Sequence, residues 1–183
     1  MAYKYSITFS GAGGHQLIQA ARILAEAAAI YDNKNATESC SYGPEARGSS
    51  CRAEVIISDV AIDYPKADKI DFLIALTQEA YDKHKNDLRS EATAIIDKEV
   101  RIGDELENRE LYRIAFMDII TEQGGDPITL NIVALGIFAG ISSIVSDSSI
   151  RQAIMARFPK KSEDMYLRAF DIGYNLNAQP SNK

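Results

Sequence analysis

The chain is short of the residues that carry redox chemistry. Its 183 residues include two cysteines and two histidines. Cys40 and Cys51 are not at the spacing of a zinc or thioredoxin-type site. Two thiols also fall short of the four ligands that an iron–sulfur cluster takes. A reducing compartment argues against a disulfide between them, so both read as buried or half-buried spectators. His15 has no Ser, Cys or Asp beside it in sequence to form a nucleophile–base pair. His84 lies among Lys83, Lys85, Asn86 and Asp87, the surroundings of a solvated side chain. A thiamine diphosphate motif is missing too: Gly103-Asp104 is not followed by a third glycine, and Asn108 comes too early. Positive charge is not in excess. Twenty Lys and Arg face 26 Asp and Glu, a net charge of -6, which argues against a nucleic-acid binder. The opening Met-Ala-Tyr-Lys-Tyr lacks the charged and apolar regions of a secretory signal. The longest weakly polar run, Ile128 to Ile144, is short for a membrane span and contains Asn131 and two glycines, so it reads as a buried helix. There is no internal repeat and no low-complexity linker. These absences leave a soluble, cytoplasmic chain, with residues 1–183 forming one domain able to bury a proper core.

What the chain does have is the stretch Phe9-Ser10-Gly11-Ala12-Gly13-Gly14-His15-Gln16. A short alternating run precedes it, and a long Ala- and Leu-rich helix, from about Gly14 to Tyr31, follows. A strand, then glycines, then a helix points free backbone N–H groups at an anion. Gly11, Gly13 and Gly14 are candidates for contact with a phosphate or pyrophosphate, and His15 adds a hydrogen-bonding side chain. The dinucleotide fingerprint GxGxxG is incomplete, because position 16 is Gln.

Further along, Tyr3 to Phe9 predicts a strand, and Leu17, Ala20, Ala21, Leu24, Ala25 and Ala28 share one face of the first helix. A second strand at Asn35 to Ser39 would complete a parallel β-α-β unit with the first. Tyr42-Gly43-Pro44-Glu45-Ala46-Arg47-Gly48 is a shaped loop, its proline and glycines being incompatible with a helix. Strands follow at Ala53 to Ser58, briefly at Ala61 to Asp63, at Asp71 to Ala75, at Ala92 to Ile96 and at Leu111 to Ile114. Helices are expected from Thr77 to His84, Phe116 to Gln123, Asp126 to Ile144, Ser148 to Phe158 and Ser162 to Asn177. The order predicts an α/β fold: a three-layer, Rossmann-like domain with a mostly parallel, mixed sheet and extra C-terminal helices. Both shaped loops belong at the carboxyl ends of strands, where such folds bind ligands.

The two loops together, with Val55-Ile-Ile-Ser58-Asp59, Ile62, Asp71-Phe-Leu-Ile-Ala75 and Asn131-Ile-Val-Ala-Leu-Gly136, form a recognisable pattern. It resembles the gamma subunit of 2-oxoacid:ferredoxin oxidoreductases, the pyruvate, 2-oxoisovalerate and 2-oxoglutarate group. Tyr42-Gly43-Pro44-Glu45 followed by Arg47-Gly48 is its most specific part. The resemblance implies a subunit of an enzyme that decarboxylates a 2-oxoacid on thiamine diphosphate. Electrons would pass through 4Fe-4S clusters to ferredoxin, and the acyl group would go to coenzyme A. It also implies that alpha, beta and, where present, delta subunits are the partners, and that thiamine and clusters sit in those chains. This chain would then be a structural module on the coenzyme A side. Gly11, Gly13, Gly14 and His15 would meet the coenzyme's phosphate, with Tyr42, Gly43, Glu45, Arg47 and Gly48 at the same rim or at a subunit interface. The family often reads Gly-x-Gly-Gly-Gln-Gly at the first loop, where this chain has His15 and Gln16. Two alternatives stay open at this stage: the small subunit of an indolepyruvate-type oxidoreductase, and a free-standing nucleotide-binding module with Glu38 placed for a ribose.

Overall fold

Apolar residues alternate along the first strand, and in the computed structural model that alternation separates the two faces of a six-stranded sheet. Residues 4–42, 50–103, 106, 109–176 and 178–181 are described, Tyr42 by its backbone alone. The strands are β1 (Lys4–Ala12), β2 (Asn35–Tyr42), β3 (Ser50–Ser58), β4 (Ile70–Ala75), β5 (Leu88–Asp97) and β6 (Glu110–Ile114). Their order across the sheet is β2-β3-β1-β4-β5-β6. β1, β4, β5 and β6 run parallel. β3 is antiparallel to both of its neighbours.

This order corrects the expected β-α-β start. β1 and β2 are not paired; β3 lies between them and pairs with each. The expected strand at Ala61 to Asp63 is absent, and residues 59–69 form an irregular crossing that docks by the Ala67 N–H on Glu54 Oε1, 2.8 Å away. The antiparallel edge is therefore the β2–β3 hairpin rather than a return after Ser58.

Helices α1 (Leu17–Glu26), α3 (Phe116–Glu122), α4 (Leu130–Ile141), α5 (Asp147–Arg157) and α6 (Lys160–Tyr174) gather on one face; α2 (Gln78–His84) covers the other. Ile7, Phe9, Val55, Phe72 and Ile74 pack beneath α1 and α4. Leu73, Ala75, Ala94 and Ile96 pack beneath α2. The apolar run from Ile128 is indeed a buried helix, with every residue of α4 from Leu130 to Phe138 out of solvent. Its start is as the residues dictate: Asp126 accepts from the Ile128 N–H, and Pro127 opens a single 3₁₀ turn that leads into α4. Thr77 likewise caps α2 through the Ala80 N–H. The last helix begins earlier than expected, directly after Pro159, so Ser162 lies inside its first turn, and the Lys160-Lys161 pair belongs to the helix.

α6 crosses α4 so closely that side chains do not fit at the crossing. A Cβ on Gly136 would lie 2.9 Å from the Tyr174 nitrogen and 3.1 Å from the Gly173 Cα, and closer still to the Phe170 carbonyl oxygen. α1 runs on as a π-helical turn, Ala27–Tyr31, ending at Asp32. There the Asp32 carboxylate accepts from the Ser146 N–H (2.8 Å) and from the hydroxyls of Ser146 and Ser149, which ties the start of α5 to the end of the first helix. Lys34 donates to the Ile144 carbonyl beside this clip.

Candidate functional site

The chain leaves β1 through α1 on one face of the sheet and leaves β4 through α2 on the other. The gap between the carboxyl ends of β1 and β4 is thus the point where connections diverge, the usual place for a ligand in an open α/β sheet. The glycine stretch sits there. β1 extends to Ala12, Gly13–His15 make one 3₁₀ turn, and Gln16 takes the left-handed conformation (φ 52°) to start α1. Left-handed backbone is costly for a residue with a side chain, and two contacts hold it. Asn131, fully buried on α4, donates through Nδ2 to the Gln16 carbonyl at 3.2 Å and to Gln19 Oε1 at 3.3 Å. Asn131 is therefore the anchor of this turn, with its Oδ1 buried and without a partner among the described residues.

The glycines divide the work. Gly11 is buried, and the space of its missing side chain is taken by the chain itself: a Cβ there would meet His15 Nδ1 at 2.8 Å and Leu17 Cδ1 at 3.0 Å. Its role is packing, not ligand approach. Gly13 and Gly14 are exposed, and a Cβ on Gly14 would meet nothing within 4 Å. Only these two leave the backbone open to a bound anion. His15 folds back over Gly11 and accepts the Ala12 N–H on Nδ1 at 3.3 Å, closing the turn as a capping side chain does. Partial burial holds its imidazole below the ordinary histidine pKa, against the opposing pull of the Asp97 carboxylate.

The second loop begins and ends at the same rim. Gly11 pairs with Cys51 and Ala12 with Ser50, so β3 emerges from the loop directly beside the glycine turn. Tyr42 ends β2 opposite Cys51. Its side chain, and Gly43, Glu45, Arg47 and Gly48, lie outside the described residues. Next to the turn is a groove of about 360 Å³ lined by Gly13, Gln16, Leu17, Arg22, Cys51 and Arg157. Cys51 is buried and donates to the Ala12 carbonyl at 3.4 Å; burial pushes its thiol pKa up, so it is a packed spectator, whereas Cys40 is exposed. Arg22 pairs with Glu38 at 3.2 Å, and Arg157 of α5 pairs with Glu26 at 2.7 Å. Glu38 is thus held by Arg22 rather than presented to a ribose. Sequence reasoning missed both arginines, because nothing near them in sequence marks them; the α1–α5 packing brings them to the groove. His84 was also misjudged. It is 1 % exposed, not solvated, since α2 turns it onto the sheet.

Among the described residues, no cluster of three or more His, Cys, Asp or Glu is placed to hold a metal ion, and no helix is long and apolar enough to cross a membrane.

Residues 6–176 match the family described as pyruvate ferredoxin/flavodoxin oxidoreductase. The chain belongs to this family. It is 42% identical over 172 residues to the 2-oxoglutarate synthase subunit KorC of Methanocaldococcus jannaschii, covering 93% of this chain and 92% of that protein. The gamma subunit of a keto/oxoacid ferredoxin oxidoreductase from Geobacter sulfurreducens has the same fold, with a TM-score of 0.84 at 37% identity over 95% of this chain and 96% of that one. The fold also recurs as part of a longer chain. The 2-oxoglutarate:ferredoxin oxidoreductase of Magnetococcus marinus, with 2-oxoglutarate, coenzyme A and succinyl-CoA bound, matches 98% of this chain with 34% of its own (TM-score 0.86, 20% identity). The gamma-subunit resemblance carried by the two loops is thereby borne out: the chain is a gamma subunit of the multi-subunit 2-oxoacid:ferredoxin oxidoreductases.

Proposed function

We propose that this chain is the gamma subunit of a cytoplasmic enzyme that converts 2-oxoglutarate and coenzyme A to succinyl-CoA and carbon dioxide, with ferredoxin taking the electrons. The observation that carries the substrate is the end-to-end similarity, at 42% identity, to a 2-oxoglutarate synthase subunit. Thiamine diphosphate and the 4Fe-4S clusters belong to the alpha, beta and delta partners in this reading. The chain's own part is to dock as one domain and to present the coenzyme's phosphates with the exposed backbone of Gly13 and Gly14 at the start of α1. Gly11 and Asn131 keep that backbone in shape, as their contacts with His15 and Gln16 support. The loop from Tyr42 through Gly43, Glu45, Arg47 and Gly48 closes the same rim or meets a partner there. Arg22 and Arg157, which line the groove and are each oriented by a glutamate, Glu38 and Glu26, have guanidinium donors left over for a second phosphate of the coenzyme.

The test is native purification on a tag carried by this chain. A thiamine- and iron–sulfur-bearing complex should come with it, and should turn over 2-oxoglutarate faster than pyruvate or 2-oxoisovalerate. The purified chain oxidising a 2-oxoacid by itself, or a complex that prefers pyruvate, would refute the reading.

A further inference from the structure

We infer that the face of the sheet under α2 holds a permanently bound internal water, shared by Thr8 Oγ1 of β1, Arg52 Nε of β3 and His84 Nε2 of α2. Six buried side-chain nitrogen and oxygen atoms have no hydrogen-bond partner among the described residues, and four of them belong to these three side chains. Thr8 and His84 are both sealed from solvent. Orphaned buried polar groups are rare, because each forfeits the bonds it would make in water. Four of them in one layer require a shared partner.

The alternation of the strands defines the layer. Ile7 and Phe9 of β1 and Ala53 and Val55 of β3 pack on the α1 and α4 side, so Thr8, Arg52 and Glu54 face α2. Their heights agree as well. Thr8 lies opposite Glu54 on one side and Leu73 on the other. Arg52 reaches the same height by donating through Nη2 to Glu54 Oε2 at 2.9 Å. The α2 segment starts level with Ser10, whose carbonyl accepts the Leu76 N–H, and ends level with Ile70, whose N–H donates to the Asp87 carbonyl. Its seven residues descend about 10 Å, or about three strand residues, which brings His84 back to the height of Leu73 and Thr8. The charge of Arg52 is felt there, since it helps to hold the His84 pKa down. Neighbouring polar groups are already engaged. Glu54 accepts from Arg52 and from the Ala67 N–H, Ser6 donates to the Lys69 carbonyl at 2.6 Å, and Ser10 donates to the Cys51 carbonyl at 3.4 Å.

The donors and acceptors suit water. His84 Nδ1 lies 3.8 Å from the Asp87 carboxylate, which favours the proton on that nitrogen and leaves Nε2 an acceptor. Arg52 Nε can only donate. A water that accepts from Arg52 and donates to His84 Nε2 and Thr8 Oγ1 makes roughly three bonds, the usual number for a buried water. It ties the last turn of α2 to β1 and β3.

Two measurements on the full chain test the water site. A high-resolution crystal structure should show an ordered water within hydrogen-bond distance of Thr8 Oγ1, Arg52 Nε and His84 Nε2. Empty density at that point, a direct bond between two of these side chains, or a larger bound molecule would overturn the assignment. Thr8→Val keeps the shape of the side chain and removes the hydroxyl. In T8V the water loses one of its three holders, so the urea midpoint should shift downward. In a dry layer the Thr8 hydroxyl is itself a buried orphan, and its removal would shift the midpoint upward. An unchanged or raised midpoint therefore overturns the water site. Thr8→Ser, which keeps the hydroxyl, is the companion variant. Its crystals should retain the water in the same place, and its loss from T8S would equally overturn the assignment.

Discussion

Replacing Gly136 by alanine sets two rules against each other. Helix propensity says that Gly→Ala within a helix stabilises by about 1 kcal/mol. The α4–α6 crossing says the opposite. The new methyl would lie 2.9 Å from the Tyr174 nitrogen and 3.1 Å from the Gly173 Cα, and deeper still against the Phe170 carbonyl. These are backbone atoms of a neighbouring helix, so no side-chain rotation relieves the overlap. α6 must move outward by about 1 Å, and a gap of that size forfeits a quarter to a half of each dispersion contact across the interface. The contacts at risk include the fully buried Phe170 and nearly buried Ala169. Overpacking of this kind costs about 1–3 kcal/mol, and lost contacts along α6 add to it, so the net change should be a loss of about 2–3 kcal/mol despite the better propensity. Urea denaturation followed by far-UV circular dichroism measures it. Gly140→Ala is the graded control: its methyl meets the Tyr174 carbonyl oxygen at 2.9 Å near the ends of both helices, where fraying gives relief, so its loss should be under half as large. G136A proving as stable as the unaltered chain, or more stable, would refute the close-crossing argument.

Other perturbations probe the rest of the molecule. Burial, reinforced by Arg52 and Lys83 and opposed by Asp87, lowers the His84 pKa from 6.5 to about 4. The unfolded chain therefore binds the extra proton first, and stability should fall by about 3 kcal/mol as the pH drops from 6.5 to 4. Urea midpoints across that range should show the fall, His84→Leu should flatten it, and an NMR titration placing His84 above 6 would contradict it. Asp32→Ala removes the acceptor for the Ser146 N–H and two hydroxyls, which should cost about 1–2 kcal/mol. Burial alone would raise the Asp32 pKa, but the bonds from Ser149 and Ser146 outweigh it and hold the carboxyl below its ordinary value. The contribution of Asp32 is thus present at neutral pH and is lost in acid, so the unaltered chain and D32A should converge as the carboxylate protonates; a gap that persisted would refute the clip.

The strand positions were legible because the apolar runs are short and bounded by turn residues. The position of β3 was not. Asn35 to Tyr42 and Ser50 to Ser58 pair through backbone groups that every sequence possesses, and nothing in the side chains says whether β2 returns to β1 or β3 intervenes. The helix between β1 and β2 made the parallel unit the simpler inference. What decided against it is the length of the β2–β3 pairing: eight residue pairs, from Asn35–Ser58 to Tyr42–Cys51, join two strands that are close in sequence. The open side of β3 then takes nine pairs with β1, from Lys4–Ser58 to Ala12–Ser50. The same blindness to contacts far apart in sequence hid His84, whose charged sequence neighbours face water while the helix turns His84 inward.

The glycine turn shows the complementary case, in which local chemistry was visible but its purpose was divided. Four adjacent features, Gly11, Gly13, Gly14 and His15, suggested one anion cradle. In the fold, Gly11 exists for His15, whose ring occupies the volume a side chain at position 11 would need. The two must therefore change together. Gly11→Ala alone would push the imidazole off the Ala12 N–H, whereas Gly11→Ala combined with His15→Gly would leave that volume free of the ring. Asn131 extends the dependence to α4, because its amide secures the left-handed Gln16 from the far side of the turn. The anion site proposed for this chain is then a property of three elements, β1, α1 and α4, and the two exposed glycines offered to the ligand in that proposal are the part of it that Gly11, His15 and Asn131 hold in shape.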